Sequence, residues 1–220
     1  MSVGSYHKQS ASSGLISLRA DPHDVQGFEK FAGLVPKAIA AAQRRAISKT
    51  LRWLRTHISR DVGRQERIAI AAVRQRLKAF PVSSNGQGRL WFGINPIEAS
   101  RAGRPRQIRS GVSVAGRRYQ GAFFKRVYGS NPDIWIRTAS KHFDATDYPD
   151  SEVSGRGGRR SGWIGENDSR FPLAKAKISL DEVRPHFEAW TNRAHERLLV
   201  VMAQELNFEL QKHLRRTGNG

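Results

Sequence analysis

The chain has 220 residues, no cysteine and a formal net charge of +19, long enough to bury roughly 70% of its unfolded surface in a core without covalent staples. The missing cysteines exclude disulfides, thiolate metal sites and a cysteine nucleophile, and fit folding in a reducing cytoplasm. Residues 37–126 carry 21 Lys and Arg against three acids (Asp61, Glu66 and Glu98), so +18 of the +19 lies there; charge so concentrated selects a polyanion or an acidic protein surface as partner.

No apolar run approaches the roughly 20 residues that span a bilayer, and Met1–Ser13 lacks the apolar core of a secretory leader, so neither a membrane nor export is expected. Residues 1–30 read as an N-terminal arm, Ser-rich at its start. Leu15, Ile16 and Leu18 there either add a short strand to a sheet edge or do nothing. Residues 31–220 read as one α+β domain.

From Pro36, whose missing N–H suits a first helical turn, Ile39, Ile47, Leu51, Leu54 and Ile58 recur at helical spacing with Ala42 and Ala46 between them. Arg44, Arg45, Lys49, Arg52 and Arg55 occupy the other surface. Gly63 is expected to break this helix, and a second, shorter one to run from Gln65 to Phe80 through Ile68, Ala72, Val73 and Leu77, ended by Pro81. Residues 83–88 (SSNGQG) read as a turn-rich linker.

Strand signals follow at Arg89–Ile94, at Gly111–Val114, through the Ala115–Gly116 turn into Arg117 and the aromatic Tyr119–Val127, and at Ile134–Thr138. They suggest a small antiparallel meander, with Leu173–Leu180 a further strand. Residues 141–170 form a long insertion, acidic first (Asp144, Asp147, Asp150, Glu152) and then Gly- and Arg-rich, expected to be flexible. A closing helix from Asp181 to about Arg216 places Phe187, Trp190, Ala194, Leu198, Val201 or Met202, Leu206 and Leu210 on one side, with Pro185 in its first turn.

The seven histidines form no HExxH arrangement, and neither GxSxG nor GxxxxGK[ST] occurs. His142, Asp144 and Asp147 would offer a divalent cation three ligands on one loop and so support a metal-dependent nuclease. A solvated loop whose acids offset nearby arginines accounts for the same residues, because no second cluster completes the ligand set. The expectation is a protein that is not an enzyme, without catalytic residue, metal or cofactor.

The basic residues carry more. Arg44, Arg45, Lys49, Arg52 and Arg55 on the helix, and Arg101, Arg104, Arg106, Arg109, Arg117 and Arg118 in the turns beyond, form a basic face suited to nucleic-acid phosphates or an acidic partner. Arg156, Arg159 and Arg160 would extend it from the loop 155–162. Trp53, Trp91 and Trp135 stand among apolar neighbours and read as core, whereas a stacking platform for single strands needs rings exposed on a sheet. A non-specific nucleic-acid-binding module is the alternative to a docking protein of an assembly.

Three segments in order suggest which assembly. RRAISKTLRWLRTHISR (Arg44–Arg60) is a basic helix with Trp-Leu-Arg. RLWFGINPI (Arg89–Ile97) is an aromatic strand ending in Gly-x-Asn-Pro. GVSVAGRRYQGAFF (Gly111–Phe124) is a Gly-Arg-Arg turn leading into Gly-Ala-Phe. With PLAKAKISL (Pro172–Leu180) before a long last helix, the chain from Pro36 onward resembles the minor tail protein Z family of bacteriophages and prophages; the N-terminal arm and the 141–170 insertion lie outside the likeness. The resemblance implies a structural tail-completion protein of the virion, made in the host bacterial cytoplasm. It would finish the head-proximal end of the tail for head–tail joining at the neck, near the DNA end. It also implies a homo-oligomeric ring, sixfold in the simplest case, with tail tube, terminator and neck proteins and the tape-measure protein as partners. Whether the basic face meets the DNA backbone or an acidic protein stays open, and the family supplies no catalytic residues.

Overall fold

The computed structural model describes residues 14–21, 25, 28, 35–127, 130–148 and 173–217. They divide into two compact units, one holding residues up to Arg60, Arg74–Gly93 and Val183 onward, the other Asp61–Val73 and Ile94–Glu182. The α+β class expected from the sequence holds. The expected Gly/Arg segment 155–162, Asp150 and Glu152 fall outside the described residues.

In the first unit a three-stranded antiparallel sheet of order β1–β3–β2 joins β1 (Leu15–Arg19), β2 (Leu77–Phe80) and β3 (Gln87–Phe92). The Leu15–Ile16–Leu18 patch does form an edge strand, with Ile16 opposite Leu90 and Leu18 opposite Gly88. Helix α1 (Pro36–Gln65) starts with Pro36, and Val35 accepts from the amides of Ala38 and Ile39 at 3.0 and 3.2 Å. Its expected apolar stripe is buried throughout, from Ile39 and Ala42 to Leu54 and Ile58, each large aliphatic contributing about 1.5–3 kcal/mol. Part of that stripe lies on β3, where Ile47 and Leu51 close over Gly88. The last helix, α3 (Phe187–Thr217), follows a 3-10 turn (Asp181–His186) that contains Pro185. Phe187 and Trp190 pack on Phe92 with ring centroids 5.8 and 6.4 Å from its own.

Two expectations need correction here. Gly63 does not break α1. The helix continues to Gln65, and the chain turns at Arg67, whose φ of 48° is left-handed. Gly63 instead lets the carbonyl of Ile68 close over the helix end, where a Cβ would meet that oxygen at 3.0 Å. The second helix is also shorter than expected: α2 spans only Ile70–Arg76, and Leu77–Phe80 is strand β2. Leu77 pairs with Phe92 and Phe80 with Arg89, so the 83–88 segment is a hairpin turn, closed by Ser83 N–H to Gln87 C=O at 2.9 Å.

Among its described residues the second unit has three small antiparallel sheets in place of one continuous meander. One has the order β5–β6–β7, from Arg106–Ile108, Gly111–Val114 and Arg117–Gln120. Another orders β8 (Phe123–Lys125), β9 (Asp133–Arg137) and β10 (Leu173–Lys175) as β10–β9–β8, and β4 (Ile97–Glu98) pairs with β11 (Lys177–Ile178). Strand β9 is buried from Asp133 to Ile136. No helix among the described residues is long and apolar enough to cross a membrane.

Candidate functional site

On α1 the basic face is partly neutralised from within. Arg45 donates through Nε to Glu205 at 2.5 Å and through Nη2 to Glu209 at 2.7 Å, and Lys49 also pairs with Glu205. Both glutamates lie on the buried side of α3. Burial pushes the Glu205 carboxyl upward, but hydrogen bonds from Lys49 and Arg45 and their charges outweigh it and leave it below the ordinary glutamate value. Arg44 and Arg52 are exposed on the same helix. Arg55 is half-buried and donates Nη2 to the carbonyl of Arg74 at 3.2 Å, leaving its Nε buried without a partner. Sequence reading missed Glu205 and Glu209. The signal was two acids set four apart inside the apolar stripe that includes Met202 and Leu206.

The other basic cluster is differently placed. In the β5–β6–β7 sheet, Arg106 lies opposite Ser113 and Ser113 opposite Arg118, so these three share one face. The alternate row buries Val112 and Tyr119 on the opposite face. Gln107, also in that row, ties the sheet to its surroundings: its Nε2 donates to the carbonyl of Gly111 at 2.8 Å and its Oε1 accepts from the amide of Phe124 at 2.8 Å. Arg104 and Arg109 flank β5 and are exposed. Among the described residues no carboxylate pairs with Arg104, Arg106, Arg109 or Arg118. Arg117 pairs loosely with Glu66 at 3.8 Å, and Arg101 with Glu98 at 3.8 Å. Arg156, Arg159 and Arg160 lie outside the described residues.

The His142 loop is organised around hydrogen bonds. Asp144 accepts from the amide and hydroxyl of Thr146 at 2.9 and 2.7 Å, which lower its carboxyl below the usual range. Asp147 sits deeper, and burial together with the Asp144 charge raises it against the pull of Arg117. His142 lies against Gly121. Among the described residues no three His, Cys, Asp or Glu side chains stand in reach of one metal ion.

A cleft of about 580 Å³ opens between Glu98, Arg101, Phe124, Asn131, Asp133 and Lys175. Lys175 Nζ binds Asp133 at 2.9 Å and Glu98 at 3.4 Å and rests 5.0 Å from the centroid of the Trp135 ring. Ser100 donates to Asp133 at 2.5 Å. Every charge in the cleft is matched by its neighbour, so the cluster braces the sheet ends.

Trp53, Trp91 and Trp135, all read as core from the sequence, have separate fates. Trp135 is core, 1% exposed, with its indole N–H on the carbonyl of Lys125 at 3.1 Å. Trp53 is half-buried beside His57 with ring centroids 4.2 Å apart. Trp91, expected in the core, is 42% exposed, because strand alternation turns Leu90 and Phe92 inward and leaves the residue between them outside. Compared with protein-family models, curated proteins and solved structures, the chain matches none.

Proposed function

We propose that this chain is a non-enzymatic tail-completion subunit of a long-tailed bacteriophage or prophage, acting at the head-proximal end of the tail during head–tail joining. The observation that carries the reading is the unpaired arginine cluster on and beside the outer face of the β5–β6–β7 sheet. Four cations without internal partners among the described residues form a surface suited to an anionic neighbour, and a short antiparallel sheet holds two of them, Arg106 and Arg118, in fixed register.

The motifs behind the family resemblance fall on defined elements in the same order. Trp-Leu-Arg is on α1, the aromatic strand is β3, the Gly-Arg-Arg turn joins β6 to β7, and the late strand precedes α3. In a ring of identical subunits such a face would repeat around the tail axis, where charge sets register and association rate more than affinity. The partner at this face is an acidic neck or terminator surface, or the DNA backbone at the joint.

The test is complementation of particles lacking this chain with a variant in which Arg104, Arg106, Arg109 and Arg118 are replaced by Ser. Complete tails that stay unjoined to filled heads are expected. Normal joining by this variant would discard the assignment.

A further inference from the structure

We propose that the outer face of the β1–β3–β2 sheet binds single-stranded nucleic acid, with Trp91 as its stacking residue. The proposal stands apart from the tail assignment, since it uses other residues and another sheet.

The geometry comes from strand alternation. Gly88, Leu90 and Phe92 of β3 point to the core, which puts Gln87, Arg89 and Trp91 on the opposite side. The ladder sets Lys78 of β2 directly opposite Trp91, and Phe80 opposite Arg89. One face of β2–β3 therefore presents, in two adjacent rows, a Trp beside a Lys and an Arg beside a Phe. Lys78 Nζ and the Arg89 guanidinium both approach the Phe80 ring, 5.2 and 5.4 Å from its centroid. Phe80 thus draws both cations to its ring, and the ladder sets Lys78 in the same row as Trp91.

Trp91 is itself positioned. Its ring lies over Gly93, where a Cβ would stand 2.7 Å from Cη2 and 3.2 Å from Cζ3. Gly93 donates its amide to the carbonyl of Arg76 at 2.9 Å, which fixes that support. One side of the indole rests on backbone, while the residue keeps 42% of its surface exposed. The platform ends at β1, where Ser17, next to Arg89 in the ladder, is 2% exposed.

Charge decides the occupant. From Leu77 to Gly93 the chain contains Lys78 and Arg89 and no Asp or Glu, and β1 adds the exposed Arg19 without an acid. A ring offered on a flat sheet with flanking cations suits a base and its adjoining phosphates. Stacking of this kind tolerates sequence, because every base has a π-face. Duplex DNA keeps its bases stacked on each other and offers none to Trp91.

The experiment is fluorescence anisotropy of labelled oligothymidylate, oligouridylate and a duplex of matched length, with the full chain and with Trp91→Ala, Trp91→Phe and Lys78→Ala/Arg89→Ala. The expected result is single-strand binding that depends on Trp91 and duplex binding that does not. Trp91→Ala should weaken affinity roughly tenfold and Trp91→Phe much less. The double cation variant should flatten the salt dependence by a slope of about 0.7 for each phosphate no longer neutralised. The DNA and RNA strands compared with each other show which of the two the face prefers. Iododeoxyuridine photocrosslinking, mapped by mass spectrometry to the 77–93 peptide, reads the same site in the unaltered protein. An equal loss of duplex and single-strand binding in Trp91→Ala, unchanged single-strand affinity in that variant, or crosslinks confined to other peptides would overturn the proposal.

Discussion

Arg45 and Glu205 are joined by a 2.5 Å ion pair across 160 residues of chain, tying the middle of α1 to the middle of α3. The carboxylate is nearly buried, while the Arg45 and Lys49 side chains that neutralise it keep 37% and 56% of their surface. The pair therefore lies between a surface ion pair and an interior one. Replacing Glu205 by Gln keeps the shape and removes the charge, which should cost about 1–2 kcal/mol. Replacing Lys49 by Ala should cost less than about 1 kcal/mol, since its ammonium is largely in water.

The pH dependence of that difference has a definite sign. The Glu205 carboxyl lies below its unfolded value of about 4.3. Its contribution is thus fully present above that value and disappears as pH falls through the lower folded one. Urea midpoints of the wild type and Glu205→Gln should differ at neutral pH and converge in acid. A constant gap across the acid range would show that the charge is not what holds the two helices.

Ala115 and Gly116 turn β6 into β7 with φ of 49° and 82°, the two positive values a two-residue type I′ hairpin requires. Glycine accepts this without cost, but a residue with a Cβ is strained by about 1 kcal/mol. Ala115→Gly and Ala115→Asn should therefore raise the melting temperature, by a few degrees at most. A lower melting temperature in both would mean that the Ala115 methyl, which lies 3.4 Å from the Cβ position of Gly103, contributes more by packing than its backbone loses.

That turn was legible in the sequence because Ala-Gly sits between two alternating runs. The helical stripes were legible for a similar reason: Ile39 to Ile58 and Phe187 to Leu206 repeat for many turns, so period 3.6 is unmistakable. Leu77–Phe80 was not. Four residues with Leu first and Phe last satisfy a helical spacing as well as a strand, and only pairing with β3 decides between them. Trp91 misled because it lies between Leu90 and Phe92, in a run whose apolar character is continuous. Glu205 and Glu209 were invisible as partners of Arg45, since nothing local reports a contact made 160 residues away.

Tyr119 and Tyr148 should resist ionisation in alkali. Their rings meet edge-on with centroids 6.3 Å apart, and Phe143 stacks on Tyr148 at 5.4 Å. Burial first, then the Asp147 charge, pushes the Tyr119 hydroxyl up to about 12 against the pull of Arg117. The same two causes, joined by Tyr119, raise Tyr148 further. Their protonated forms are favoured in the folded chain, so this stability is intact below pH ~10 and is lost as pH climbs through the folded values. Phenolate absorbance should show two of the four tyrosines ionising late, together with loss of helical circular dichroism. Four independent ionisations near pH ~10 in a still-folded chain would contradict this.

Gly88 tests how closely α1 lies on the sheet. A Cβ there would overlap Cγ2 of Ile47 and stand 3.0 Å from Cδ1 of Leu51, and neither neighbour can yield freely. Ile47 is 0% and Leu51 2% exposed, and interiors packed to that density transmit an added methyl as strain. Gly88→Ala should destabilise by about 1–3 kcal/mol through overpacking. Ile47→Ala removes the Cγ2 methyl that the added Cβ would strike and should itself cost about 2–5 kcal/mol. The two together should be less harmful than their sum, because the space vacated on α1 receives the methyl added on β3. Strict additivity in denaturant melts would place Ile47 and Gly88 out of contact and displace α1 from the inner face of β3.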